Sequence, residues 1–229
     1  LSRRSRRPSI YVFGVLFSVF ASCAIAQPAK EQWHADLAQG YQALADSSEK
    51  LQQQSQSYCQ APDGQGLHSV SDAWRDAFLT WQQVRFVDFG PIERDNIAWQ
   101  LQFWPDSKNL VARKTDNWLQ PGKPIDAAAL ASDSVAVKGF PALEYLLFDD
   151  AVIDGEHALP QQRTCDLLQA ISKQIHDNTV QLRNDWTRFE SHFLSRPEYA
   201  HTTVSAVMHT LEIMRDKRLA APMGLAGKT

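Results

Sequence analysis

The sequence is short of the signatures by which most enzymes announce themselves. There is no His-Glu-x-x-His zinc-peptidase pattern, no phosphate-binding loop, no nucleotide-binding glycine fingerprint and no Gly-x-Ser-x-Gly nucleophile elbow. No stretch alternates apolar and polar residues as a half-buried strand does, and neither an internal repeat nor a low-complexity linker interrupts the chain. Cysteine is scarce, with Cys23, Cys59 and Cys165 making up the whole complement. Positive charge is scarce too once the first 26 residues are set aside. That segment holds four arginines and no acids, so the remainder has 19 basic residues against 26 acidic ones, a formal charge of −7. This argues against nucleic acid or an anionic membrane surface as the main partner.

What is present first is an export signal. Arg3, Arg4, Arg6 and Arg7 form a positive start, Ile10 to Phe20 an apolar stretch, and Ala24-Ile25-Ala26 a small-x-small cleavage pattern. The expected mature protein begins at Gln27, and the apolar stretch favours the general secretory route over twin-arginine export. Two readings compete. An uncleaved anchor is one, although the uncharged residues 9–28 are barely long enough to span a bilayer. A lipoprotein cut before Cys23 is the other, with Cys23 as the lipidation site and Phe20 standing where a lipobox usually has Leu. Association with a membrane is expected only through that lipid anchor. In an oxidising compartment Cys59 and Cys165 are left to pair or to remain free thiols, and pairing is the expectation.

The rest reads as all-α. Leu37, Leu44, Leu51 and Tyr58 recur every seven positions with Trp33 and Tyr41 on the same stripe, which predicts an amphipathic helix over residues 31–58. A second helix over residues 70–88 carries Trp74, Phe78, Trp81, Arg85 and Asp88 at 4, 3, 4 and 3 spacing, and Phe89-Gly90-Pro91 ends it. Residues 160–194 hold the clearest pattern, with Leu168, Ile171, Ile175, Leu182, Trp186, Phe189 and Phe193 in register and Thr179 filling the gap. After Arg196-Pro197 a last helix is expected to bury Val204, Val207, Met208, Leu211 and Met214. Four such helices imply an antiparallel helical bundle with a long irregular insertion over residues 89–159.

One carboxylate stands out in that insertion. If residues 141–148 are helical, Glu144 has Pro141, Leu147 and Phe148 as its i−3, i+3 and i+4 neighbours, so it is expected to be buried. A buried carboxylate needs a partner, a metal or a proton, and Arg85 is the candidate partner. Gly139 upstream permits a sharp turn or the close approach of another element. Glu144 serves either a functional site or a fixed ion pair that locks the insertion down.

The run Gly139-Phe140-Pro141-Ala142-Leu143-Glu144-Tyr145-Leu146-Leu147-Phe148 resembles the signature of the imelysin family, whose motif is Gly-x-His-x-x-Glu. Ala73-Trp74, Trp81-Gln82 with Arg85, Phe89-Gly90-Pro91, Trp104-Pro105-Asp106, Lys217, Leu219 and Pro222-Met223-Gly224 agree in order and spacing. The resemblance implies a two-part all-helical protein of the bacterial periplasm, free or lipid-tethered, tied to iron supply and similar to the periplasmic component of ferrous-iron uptake systems. The chain opens with Leu1 and ends at Thr229 with no terminal signal, so it is expected to be the first half of such a protein. The family takes its name from a metallopeptidase, and its motif has been read as metal-binding. Here Pro141 stands where the motif has His, and proline can neither ligate a metal nor shuttle a proton.

The expectation is therefore a non-enzymatic binding component linked to iron uptake, with iron or another divalent metal, a metal complex or an iron-uptake or envelope protein as its ligand. A zinc-dependent peptidase using Glu144 and ligands outside the motif is the second reading, and a structural module of an envelope complex the third. His209 and Glu212, three apart on a predicted helix, have the spacing of a bundle metal site but fall on its polar back, with Asp216 and His201. His34, His68, His192, His176-Asp177 and Glu156-His157 show no ligand spacing.

Overall fold

The computed structural model describes residues 11–122 and 124–225, with side chains from Pro28 onward. Arg3, Arg4, Arg6 and Arg7 and the side chain of Cys23 lie outside the described residues, so the export and lipidation expectations are not addressed there. Helices are α1 (Tyr11–Gln60), α2 (Gly64–Val84), α3 (Ile97–Leu101), α4 (Leu110–Leu119), α5 (Ala127–Ser132), α6 (Gly139–Phe148), α7 (Asp150–Ile153), α8 (Gln162–Ser195) and α9 (Glu198–Ile213). A 3₁₀ segment (Gly90–Asn96) precedes α3, and a π-helical segment (Met214–Ala220) continues α9. No strand occurs among the described residues, and none of their helices is long and apolar enough to cross a membrane.

The predicted stripes become the seam between α1 and α8. Leu44, Leu51, Leu168, Leu182 and Trp186 are fully enclosed there. The partners run in opposite directions along the two helices. Cys59 is disulfide-bonded to Cys165, Ser48 hydrogen-bonds Thr179 at 2.7 Å, and the His34 ring stacks on Trp186 at 5.1 Å. Lys30 donates to the carbonyls of Leu194 and Arg196 at 2.7 and 3.0 Å, closing the far end. α8 is thus antiparallel to α1 along its whole length, about 50 Å at 1.5 Å per residue. His34, which its sequence neighbours left unexplained, is a core residue whose Nε2 lies 3.2 Å from the Trp186 carbonyl. The cysteine pairing expected from the oxidising compartment is formed.

α2 begins on a capped turn, where Asp63 accepts from the Gly66 amide at 2.6 Å, and returns along α1 with Val70, Trp74 and Trp81 inward. The insertion is less irregular than expected. Its helices α3 to α6 pack on α2 or α8 and share their core through Leu101, Trp118, Phe140 and Leu143, while α7 packs on α6.

The last helix departs from expectation. Val204, Val207, Met208, Leu211 and Met214, predicted as its buried stripe, are exposed, and Thr203 and Ala206 are buried instead. Small side chains let α9 lie against the bundle on that edge, which turns the larger apolar residues outward. An apolar period shows that a helix has an apolar face but not what covers it.

Candidate functional site: a carboxylate cavity on the insertion

Gly139 opens α6 with φ of 71°, the left-handed region that favours glycine. A Cβ there would also lie 2.7 Å from the Leu101 carbonyl carbon, so both reasons for glycine foreseen from the sequence hold. Trp74 on α2 donates its indole N–H to the Phe140 carbonyl at 3.1 Å. Pinned by α3 and α2, α6 buries Phe140, Ala142, Leu143, Leu146 and Leu147. Pro141, Glu144 and Phe148 remain, at i, i+3 and i+7, as its outward stripe.

Glu144 is accordingly exposed, against the expectation of burial. Its apolar neighbours Pro141 and Phe148 are themselves only half-buried and share its face. Nor does it pair with Arg85, whose guanidinium donates to Gln82 Oε1 at 3.2 Å and lines a different cavity. Glu144 makes no hydrogen bond or ion pair among the described residues. The surrounding walls still strip it of part of its water, which raises its carboxyl above the ordinary carboxylate range.

A cavity of about 350 Å³ lies over this stripe, between α6 and the segment 102–112. Three carboxylates line it and no basic side chain does. Two are committed to the backbone. Asp106 accepts from the amides of Leu110 and Val111 at 2.7 and 2.8 Å, closing the start of α4, and Asp149 accepts from the Ala151 amide at 3.0 Å, capping α7. Tyr145 is occupied as well, donating to Asp116 Oδ1 at 2.7 Å, and burial together with that acid pushes its phenol upward. Glu144 is therefore the one carboxylate of this cavity with both oxygens unengaged.

A resident metal ion does not fit this donor set. Structural and catalytic zinc take at least three protein ligands, and divalent first-row metals are held by comparable clusters. No group of three or more His, Cys, Asp or Glu side chains placed to hold a metal occurs among the described residues. Pro141 supplies nothing where the family motif has His. His209 and Glu212 do not complete the set: both are exposed on α9, His209 lines the other cavity and Glu212 neither.

That other cavity shares Gln102 and Trp104 with the first. Gln102 is fixed by α2, its Oε1 accepting from Trp81 Nε1 at 2.9 Å and Gln82 Nε2 at 3.2 Å. Arg85 and Asp88 line this second space together with His209. Gln102 and Arg218 escaped the sequence reading, because nothing in their local spacing marks them. In sequence, Gln102 lies two positions before Trp104-Pro105-Asp106 and Arg218 lies between Lys217 and Leu219, and those motif pieces were the usable signal.

The family model for imelysin, peptidase group M75, matches residues 37–229. The chain belongs to the imelysin family. This imelysin is 30% identical over 108 residues to the iron-regulated protein A of Synechococcus elongatus, a match covering 47% of this chain and 27% of that protein. Its fold matches the crystal structure of an imelysin-like protein from Psychrobacter arcticum 273-4 with a TM-score of 0.79 at 21% identity, covering 89% of this chain and 65% of the other. The chain thus spans less than two thirds of the length of either relative.

Proposed function

We propose that this imelysin is an exported, non-enzymatic binding component of an iron-linked process at the bacterial cell envelope, and that its Glu144 cavity receives a cationic or hydrogen-bond-donating group of a partner protein or a chelated metal. The observation that carries this reading is the isolation of Glu144. It is the carboxylate of an acidic cavity that has both oxygens unengaged, beside a proline in place of the family's histidine. A lone carboxylate can accept hydrogen bonds or neutralise a positive charge. Acid–base hydrolysis is served by a second titratable group in reach of the same substrate, and here Asp106 is tied to a helix start by both oxygens and Asp149 by one. The link to iron draws support from the name of the Synechococcus relative, iron-regulated protein A.

The test combines a genetic and a biochemical arm. In a strain lacking the gene, growth under iron limitation is expected to be impaired, restored by the wild-type gene and restored less well by Glu144→Gln. The purified protein is expected to leave unstructured peptides intact with or without added zinc. Chelator-sensitive hydrolysis would promote the peptidase reading instead. Full rescue by Glu144→Gln would remove the cavity from the function.

A further inference from the structure

The second cavity, across the Gln102 and Trp104 wall, has the opposite electrostatic character. Its volume is about 310 Å³, at the small end of the range of about 300–1,000 Å³ typical of small-molecule sites. Two guanidinium groups, Arg85 from the end of α2 and Arg218 from the π-helical segment after α9, line it. Neither forms an ion pair among the described residues. Asp88 is the only carboxylate on the lining and is itself exposed. Paired cations with this little compensation run against the trend of a chain whose formal charge is −3.

Arg218 is the more telling of the two. Its guanidinium carbon lies 4.5 Å from the centre of the Trp104 ring, a cation–π arrangement. One of its terminal nitrogens is buried with no hydrogen-bond partner. A buried donor left unpaired is costly, and rarer still on a charged group. Arg85 spends one nitrogen on Gln82 and retains its other donors. Trp81, Trp99 and Trp104 supply flat apolar walls between and around these groups.

We propose that this cavity binds a small organic anion bearing two or more carboxylates, held between Arg85 and Arg218 against the indole wall. Guanidinium forks match carboxylates in a two-pronged arrangement, and the spare nitrogen of Arg218 is the donor such an anion satisfies. The volume suits a di- or tricarboxylate and is too small for a folded chain or an oligosaccharide. His209, on the same lining, offers a further donor. The site is independent of the Glu144 reading, since the guanidinium groups lie outside the Glu144 cavity.

Citrate, without metal, is the probe. Titration calorimetry and tryptophan fluorescence on the intact chain at low ionic strength are expected to show saturable one-to-one binding. Arg218→Gln and Arg85→Gln are each expected to weaken it about tenfold or more, and Arg218→Lys to weaken it by less. Arg113→Gln, on the exposed face of α4, is expected to leave it unchanged. Unfolding curves of each variant separate lost binding from lost structure. The proposal is overturned if citrate and succinate show no saturable binding, if both glutamine variants bind citrate like the wild type, or if inorganic phosphate binds more tightly than citrate.

Discussion

Gly139 and Leu101 are packed so closely that a single methyl group on the glycine would sit 2.7 Å from the Leu101 carbonyl carbon and closer still to its oxygen. Both neighbours are backbone, so neither can swing aside, and the positive φ adds a second penalty for any L side chain. Gly139→Ala is expected to cost roughly 3 kcal/mol or more, combining backbone strain with overpacking. Gly122→Ala is the control: its φ is also positive, at 120°, but a Cβ there meets nothing within 4 Å. Urea denaturation of the two variants separates the terms, and equal losses would show that close approach contributes nothing.

Lys30 and the end of α8 make a second such lock. The last carbonyls of a helix lack intrahelical donors, and the Lys30 amine supplies them for Leu194 and Arg196 from a position that is 4% exposed. Lys30→Met keeps most of the side-chain volume and removes the donor. The expected loss is roughly 1.5–3 kcal/mol, the range for hydrogen bonds to charged groups. Hydrogen exchange in the last turn of α8 should accelerate before the rest of the helix. Uniform acceleration would mean that the contact stabilises the bundle without holding this end.

These locks show where sequence reading succeeds and where it stops. Leu44, Leu51, Leu168 and Leu182 were legible because a 3.6-residue period fixes which face of a long helix is apolar, and only one face was. Thr179 looked like a gap in that pattern and is a buried polar contact to Ser48, made possible by a second hydroxyl 131 residues away. Glu144 was misplaced for the opposite reason. Its helix is apolar nearly all round, so no period distinguishes inside from outside, and the half-buried Pro141 and Phe148 passed for core. On α9 the period was real but its partner surface was not: Thr203 and Ala206 fit the bundle edge, and Val207 and Leu211 face outward. Arg218 and Arg85 are 133 positions apart, and only the fold brings them to one cavity.

The disulfide ties the end of α1 to the start of α8, and its cysteines are 106 residues apart in sequence. A crosslink closing a loop of that size removes much conformational freedom from the unfolded chain, worth about 4.8 kcal/mol in a loop-entropy account. Replacing Cys59 and Cys165 with alanine is expected to lower the unfolding free energy by about that amount while leaving the helical content intact at moderate temperature. A loss well under 1 kcal/mol would show that the unfolded chain is already restricted or that the bond is strained in the native state.

The raised carboxyl of Glu144 makes the stability of the fold depend on pH. Its walls raise the native pKa above the ordinary value of 4.5, so between the two values the native state holds the proton more firmly than the unfolded state. Stability then falls as pH rises through this window, because the slope follows the difference in bound protons between unfolded and native states. The contribution is fully present below pH 4.5 and is lost above the native pKa. Glu144→Gln has no such proton to lose. The variant is expected to match the wild type near pH 4 and to be more stable at pH 7, by less than about 1 kcal/mol because solvent screens an exposed side chain. Paired urea denaturation curves at the two pH values check it. A variant less stable than the wild type at pH 7 would sink the idea, since it would mean that the charged carboxylate has a stabilising partner in the folded protein and is not free to meet a ligand.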